Sequence, residues 1–154
     1  MKKIDHIDKK ILNLLQNDGR VTIKEMASQL NMSTTPIFER IKKLEKSGII
    51  KQYAAILDPE KLDKKLYSFA HISLKDHNKE TVDLFIEKIL KIPEVMECHY
   101  VTGNSDFILK ILLNDMEQYR DFVMDKLFKM TNIAKVETFL SLSVSKRSHK
   151  VPLG

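Results

Sequence analysis

Apolar residues recur at helical spacing through the first fifty positions and then change rhythm. Ile7, Ile11, Leu14 and Leu15 share one face of a segment opened by Asp5, a residue suited to an N-cap. Ile23, Met26, Ala27 and Leu30 repeat the spacing, Asn31 and Ser33 interrupt it, and Ile37, Ile41 and Leu44 resume it. Thr22 and Glu25 have the separation of a capping box, and Gly19 is placed to end the first helix in the left-handed region. Ser33 is expected to cap the third helix, with Pro36 inside its first turn, and Lys46-Ser47-Gly48 closes it. Three short helices, the last two joined by a tight turn, predict a helix-turn-helix.

From Ile49 to Leu57 the pattern reads as extended, Asp58-Pro59 breaks it, and 61–65 is a polar connector. Beyond it a strand is expected over 66–75, a helix over 80–90, strands over 95–102 and 107–113, a helix over 116–130 and a strand over 133–145. The order β-α-β-β-α-β is the ferredoxin-like split arrangement, with both helices on one face of the sheet. The predicted class is therefore α+β: a winged-helix-like helix-turn-helix domain over 1–50, a strand and linker over 51–65, and a ferredoxin-like domain over 66–154. Phe107, Leu109, Ile111 and Leu113 alternate with Ile108 and Leu112, and Leu140 and Leu142 with Phe139, so the sheet is apolar on both faces. Helices cover only one, and a homodimer formed through this domain is the expected cover for the other.

The 154 residues carry a formal net charge of +5, which favours a polyanionic partner. The single cysteine, Cys98, rules out an internal disulfide. Met1-Lys2-Lys3 is not followed by the apolar stretch of a signal peptide, and no apolar run is long enough to span a bilayer. The expectation is a soluble cytoplasmic protein. Cys98 and His99 are adjacent on a strand and point to opposite faces, and His6, His71, His77 and His149 are scattered. No nucleophile–base pair, phosphate-cradling glycine loop or zinc spacing is present, so the sequence predicts no catalytic residue, no metal and no cofactor.

The candidate chemistry sits on the third helix, where Thr34, Thr35, Arg40, Lys43 and Lys46 give a cationic, hydroxyl-bearing face suited to a major groove. Ser33, Thr34 and Thr35 lie at a helix N-terminus that can bind a phosphate, unless Ser33 serves only as a cap. Arg40 suits bidentate guanine contact and Lys43 a phosphate; the alternative is a solvated face paired with Glu39 and Glu45.

These residues carry a family resemblance. Ile7-Asp8-Lys9-Lys10-Ile11-Leu12, the run from Ser33 to Glu45, Gly48-Ile49-Ile50 and Val101-Thr102-Gly103-Asn104-Ser105-Asp106 are similar to the Lrp/AsnC (feast/famine) transcriptional regulators. Thr34 stands where members often carry proline, and Phe38 where leucine is more usual. The resemblance implies a DNA-contacting set of Ser33, Thr34, Thr35, Pro36, Glu39, Arg40 and Lys43. It also implies homodimers that assemble into tetramers or octamers, and an amino-acid effector bound between dimers. A two-fold dimer predicts a pseudo-palindromic site in double-stranded DNA.

By the same resemblance Gly103 to Asp106 marks the effector site, flanked by Tyr100 and Thr102, with Thr138 reaching it from a neighbouring subunit. Gly103 lets a ligand approach the backbone, loop N–H groups suit an α-carboxylate, and Asp106 suits an α-ammonium. A plain hairpin turn is the competing reading of the same residues. The implied function is an amino-acid-responsive regulator; the alternative is an architectural DNA-wrapping protein without a working effector site. A metabolic protein whose N-terminal helices merely pack is a third possibility, opposed by the missing catalytic groups.

Overall fold

The computed structural model describes residues 4–153, so the Met1-Lys2-Lys3 reading falls outside the described residues. Two compact units form: Met1–Ile56 together with Lys146–Gly154, and Leu57–Ser145.

The first unit holds α1 (His6–Asn17), α2 (Ile23–Leu30) and α3 (Thr34–Lys46). Asp5 caps α1 by accepting from the Asp8 N–H at 2.8 Å, and the Asp8 side chain reaches back to the Asp5 N–H. Thr22 and Glu25 complete the same reciprocal box on α2, which satisfies backbone donors the helix cannot. The three apolar faces meet in one core of Ile11, Leu12, Met26, Ala27, Ile37, Ile41 and Leu44. Each such side chain, once buried, contributes about 1.5–3 kcal/mol for the larger aliphatics.

Three expectations for this unit are corrected. Gly19 does not adopt positive φ; α1 ends through Asp18, whose extended backbone donates to the Leu14 carbonyl, while Asn31 takes the left-handed conformation at the end of α2. The extended stretch after α3 forms no strand: residues 51–57 have no ladder partner among the described residues, and a strand exists only through pairing. Finally, residues 146–154 group with the helices rather than with the second domain. Gln16 reads the backbone of Val151 in both directions, accepting its N–H at 2.6 Å and donating to its carbonyl at 3.2 Å. Lys150 Nζ reaches Asn17 Oδ1 at 2.5 Å, and Leu153 packs against the helical core.

The second unit contains β1 (Leu66–Leu74), α4 (Lys79–Leu90), β2 (Val95–Tyr100), β3 (Phe107–Leu113), α5 (Met116–Phe122) and β4 (Ile133–Leu140). The sheet is antiparallel in the order β2-β3-β1-β4, as the split arrangement requires. Ser68, Ala70, Ile72 and Leu74 share one face with Phe107, Leu109, Ile111 and Leu113; Val82, Phe85, Ile89, Phe122 and Leu127 from the helical side cover it. The helix after Phe122 widens into a single π-type turn, closed by the Phe128 N–H on the Val123 carbonyl at 2.9 Å. β4 stops at Leu140 instead of running to 145: its ladder with β1 ends at the Ser68–Leu140 pair, and a last bond from the Ser141 N–H to the Tyr67 carbonyl at 2.9 Å closes it. Likewise β2 stops at Tyr100, where the chain turns back into β3.

On the opposite face lie Tyr67, Phe69 and His71 of β1, Ile108, Lys110 and Leu112 of β3, and Glu137 and Phe139 of β4. Phe69 and Phe139 are direct cross-strand neighbours, and the Phe139 ring is edge-on to His71 at 5.0 Å. Phe139 remains 51% exposed. The second apolar face expected from the alternation of β3 is thus present.

Candidate functional site

Helix α3 presents two different edges. Ile37, Ile41 and Leu44 are buried, and at ~100° per residue the direction opposite them runs through Thr35, Glu39, Lys42 and Lys46, with Lys43 beside it. Thr35, Glu39, Lys42, Lys43 and Lys46 are all exposed there; Thr34 is exposed at the helix N-terminus, and Pro36 is half-buried. A surface depression of about 350 Å³ is lined by Lys42, Lys43, Lys46 and Ser47. Lys42 sits over the Phe38 ring at 5.6 Å and 3.8 Å from Glu45, whose Oε1 also accepts from the Tyr53 hydroxyl at 3.1 Å.

Ser33 occupies the N-cap position with extended backbone, yet its hydroxyl makes no cap hydrogen bond. The N3 residue that would donate to it is Pro36, which has no N–H. The cap-only reading of Ser33 therefore fails, and its hydroxyl stands at the helix N-terminus beside exposed Thr34 and Thr35.

Arg40 does not lie on the outward face. It sits only ~60° around the helix from the centre of the buried stripe. Its Nη1 reaches both Asp5 Oδ2 and Asp8 Oδ1 at 2.6 Å, tying α3 to the N-terminus of α1. These carboxylates hold the guanidinium pKa above its ordinary value. The Asp5 carboxyl is held below its ordinary value, first by the Asp8 backbone N–H and then by Arg40. Neither the guanine-reading expectation for Arg40 nor its pairing with Glu39 describes this geometry. Lys42, absent from the expected contact set, was detectable from the helical period alone.

The second candidate lies where β2 turns into β3. Gly103 takes φ +129°, a conformation strained for any side chain, and the Val101 N–H closes the turn on the Asp106 carbonyl at 2.9 Å. Asp106 is bound into the fold on three sides. Its N–H donates to the Ile72 carbonyl at 2.8 Å, its Oδ2 accepts from the Leu74 N–H at 2.7 Å, and His77 Nε2 lies 3.0 Å from Oδ1 and 3.1 Å from Oδ2. Sequence reasoning set His77 aside as a scattered surface histidine; no short-range pattern links it to a residue 29 positions away.

Tyr100 closes β2 with its ring 4.9 Å from Phe107, and Thr102 is exposed just beyond. Thr138 shares a sheet face with Tyr100 but belongs to β4, at the other edge of the sheet. Three strand spacings, roughly 14 Å, separate Tyr100 from that edge, and β1 stands between Thr138 and the β2–β3 connection. No group of three or more potential metal ligands is found among the described residues. No helix of the described chain is long and apolar enough to cross a membrane.

Residues 4–51 match the family model of a winged helix-turn-helix DNA-binding domain, and residues 68–151 that of the Lrp/AsnC ligand binding domain. The transcriptional regulator AzlB of Bacillus subtilis is 37% identical, over 97% of this chain and 96% of its own length. The leucine-responsive regulatory protein of Escherichia coli is 34% identical, over 97% and 92%. Among solved structures, a Neisseria meningitidis transcriptional regulator in complex with L-Met superposes with a TM-score of 0.93 at 33% identity, covering 98% of this chain and 97% of that one.

Proposed function

The chain belongs to the Lrp/AsnC family of transcriptional regulators, and on that premise we propose that it controls transcription in response to an amino acid. It acts in the cytoplasm, reads a pseudo-palindromic duplex site as a two-fold homodimer, and performs no catalysis. The observation that carries this reading is the outward face of α3: Ser33, Thr34 and Thr35 at its N-terminus and Lys42, Lys43 and Lys46 along its length, above a core that fixes the helix. Hydroxyls and helix N–H groups suit one phosphate, and the lysines suit the backbone of the same groove. Glu39 and Pro36 shape the contact rather than neutralise charge. Arg40 orients α3 through α1.

The apolar sheet face around Phe69, Ile108, Leu112 and Phe139 supports dimerisation through the second unit, and assembly of dimers into tetramers or octamers places Thr138 of one chain near the loop of another. The effector site then comprises Tyr100, Thr102, Gly103 and Asp106 of one chain with Thr138 of its neighbour. The second reading is a DNA-wrapping protein whose loop takes no effector; it requires that the Leu74 N–H and His77 use up the Asp106 carboxylate.

Scanning the twenty common L-amino acids for a change in affinity for the protein's own upstream DNA, with light scattering for assembly size, separates the two. A shift by one amino acid supports the sensor; tight DNA binding indifferent to all twenty supports the wrapping protein. No DNA binding in dilute buffer overturns both.

A further inference from the structure

The connection from β1 to α4 is held in place on both sides of His77. The Lys75 N–H donates to the Asn132 carbonyl at 2.9 Å, and the Asn132 amide donates to the Asp76 carbonyl at 3.3 Å. On the other side Asn78 caps α4 by accepting from the Thr81 N–H at 2.9 Å. His77 is therefore carried by a tethered backbone, and its ring is delivered to a residue of a different connection, Asp106 at the start of β3.

The need for it comes from the sheet. The β1–β3 ladder ends at Ile72 paired with Phe107, and the β1–β4 register shifts between Ser73 and Leu74. The Leu74 N–H thus has no ladder acceptor on the β3 side, and Asp106 Oδ2 takes it. One such bond leaves the carboxylate free to rotate about its terminal torsion, which is soft for aspartate. His77 Nε2, near both oxygens at 3.0 and 3.1 Å, removes that freedom. A carboxylate has about four lone-pair sites. Leu74 and His77 use part of that capacity, and the Asp106 side chain is still 20% exposed, so a further donor can reach it.

We propose that His77 is a positioning residue of the effector site, holding the Asp106 carboxylate so that its remaining lone pair meets the α-ammonium of an amino acid. This rests on the reading of the Gly103–Asp106 loop as an effector site. The carboxylate carries the charge that attracts the ammonium; His77 supplies orientation, donating from Nε2 without touching the ligand. The requirement is an N–H donor at that point, not an imidazole as such, and this separates a positioning role from simple packing.

The test uses the full chain and the twenty common L-amino acids, with dissociation constants from titration calorimetry and ligand-free melting temperatures measured alongside. For any amino acid that binds, His77→Ala is expected to weaken affinity about tenfold, the scale of one hydrogen bond to a charged group. His77→Gln, which restores an amide donor, is expected to recover most of it. Should His77→Ala melt early, His77→Phe keeps a ring and removes the donor, and must bind as weakly as alanine. Affinity within twofold of the parent for the alanine or phenylalanine variant overturns the proposal, as does a glutamine variant no better than alanine. If none of the twenty binds the parent, the effector reading falls and this inference with it; loss of the His77 effect alone leaves that reading standing.

Discussion

Arg40 on α3 and Asp8 on α1 meet at 2.6 Å, and Asp8 is only 4% exposed. The pair joins α3 to α1, so the residue type most often associated with base reading here sets α3 in position. Removing Arg40 leaves a buried carboxylate without its partner, which costs about 1–3 kcal/mol. The partial exposure of Arg40, at 29%, puts the effect toward the lower end of that range. Arg40→Ala is expected to lower the urea midpoint of the first unit and to weaken DNA binding only in proportion. Unchanged stability with abolished binding would return Arg40 to the groove.

The same cluster sets an acid limit. The Asp5 carboxyl is held below its ordinary value of 3.8, chiefly by the Asp8 backbone N–H and secondarily by Arg40. A depressed carboxylate contributes stability that is fully present above its unfolded value and lost as pH falls from there through the folded one. Stability of the helical unit is therefore expected to be insensitive to Asp5 ionisation near neutrality and to decline below pH 3.8, less steeply in Asp5→Asn. Urea melts at a series of acidic pH values, parent against variant, measure the difference.

Lys42 and Lys46 face outward and are exposed. Their joint replacement by alanine is expected to leave the melting temperature within experimental error while lowering DNA affinity. If each neutralises one phosphate, the log–log salt slope falls by about 1.8, at about 0.9 per phosphate. An unchanged slope removes both from the duplex interface.

Phe69 and Phe139 are cross-strand neighbours on the uncovered sheet face. Phe139→Glu together with Phe69→Glu places two like charges in that apolar surface, and a face-to-face dimer cannot bury them unpaired. The double variant is expected to sediment as a 17.9 kDa monomer at micromolar concentration while the parent does not. A parent that is itself monomeric contradicts the assembly.

How much of this was legible in the residues varies with the range of the contact. The N-cap at Asp5, the capping box at Thr22 and the alternation of β3 are local patterns, and the structure follows them closely. The end of β4 depends on how far its ladder with β1 runs, and the fate of 51–57 on whether a partner strand exists. Neither is local. At the sites, Gly103 revealed itself through its residue type, whereas Arg40 was misplaced because its partners lie 32 and 35 positions away. Ser33 shows the opposite case, since Pro36 three residues later already removed the N3 donor of its cap.

Gln16 and Val151 are 135 positions apart and bonded to each other, with Leu153 seated in the same helical core. During synthesis the helices leave the ribosome first, yet their last packing partner arrives only after the entire sheet has been made. A chain that stopped short of Leu153 would leave the helical core without one of the apolar side chains packed against it, and Gln16 without its backbone partner.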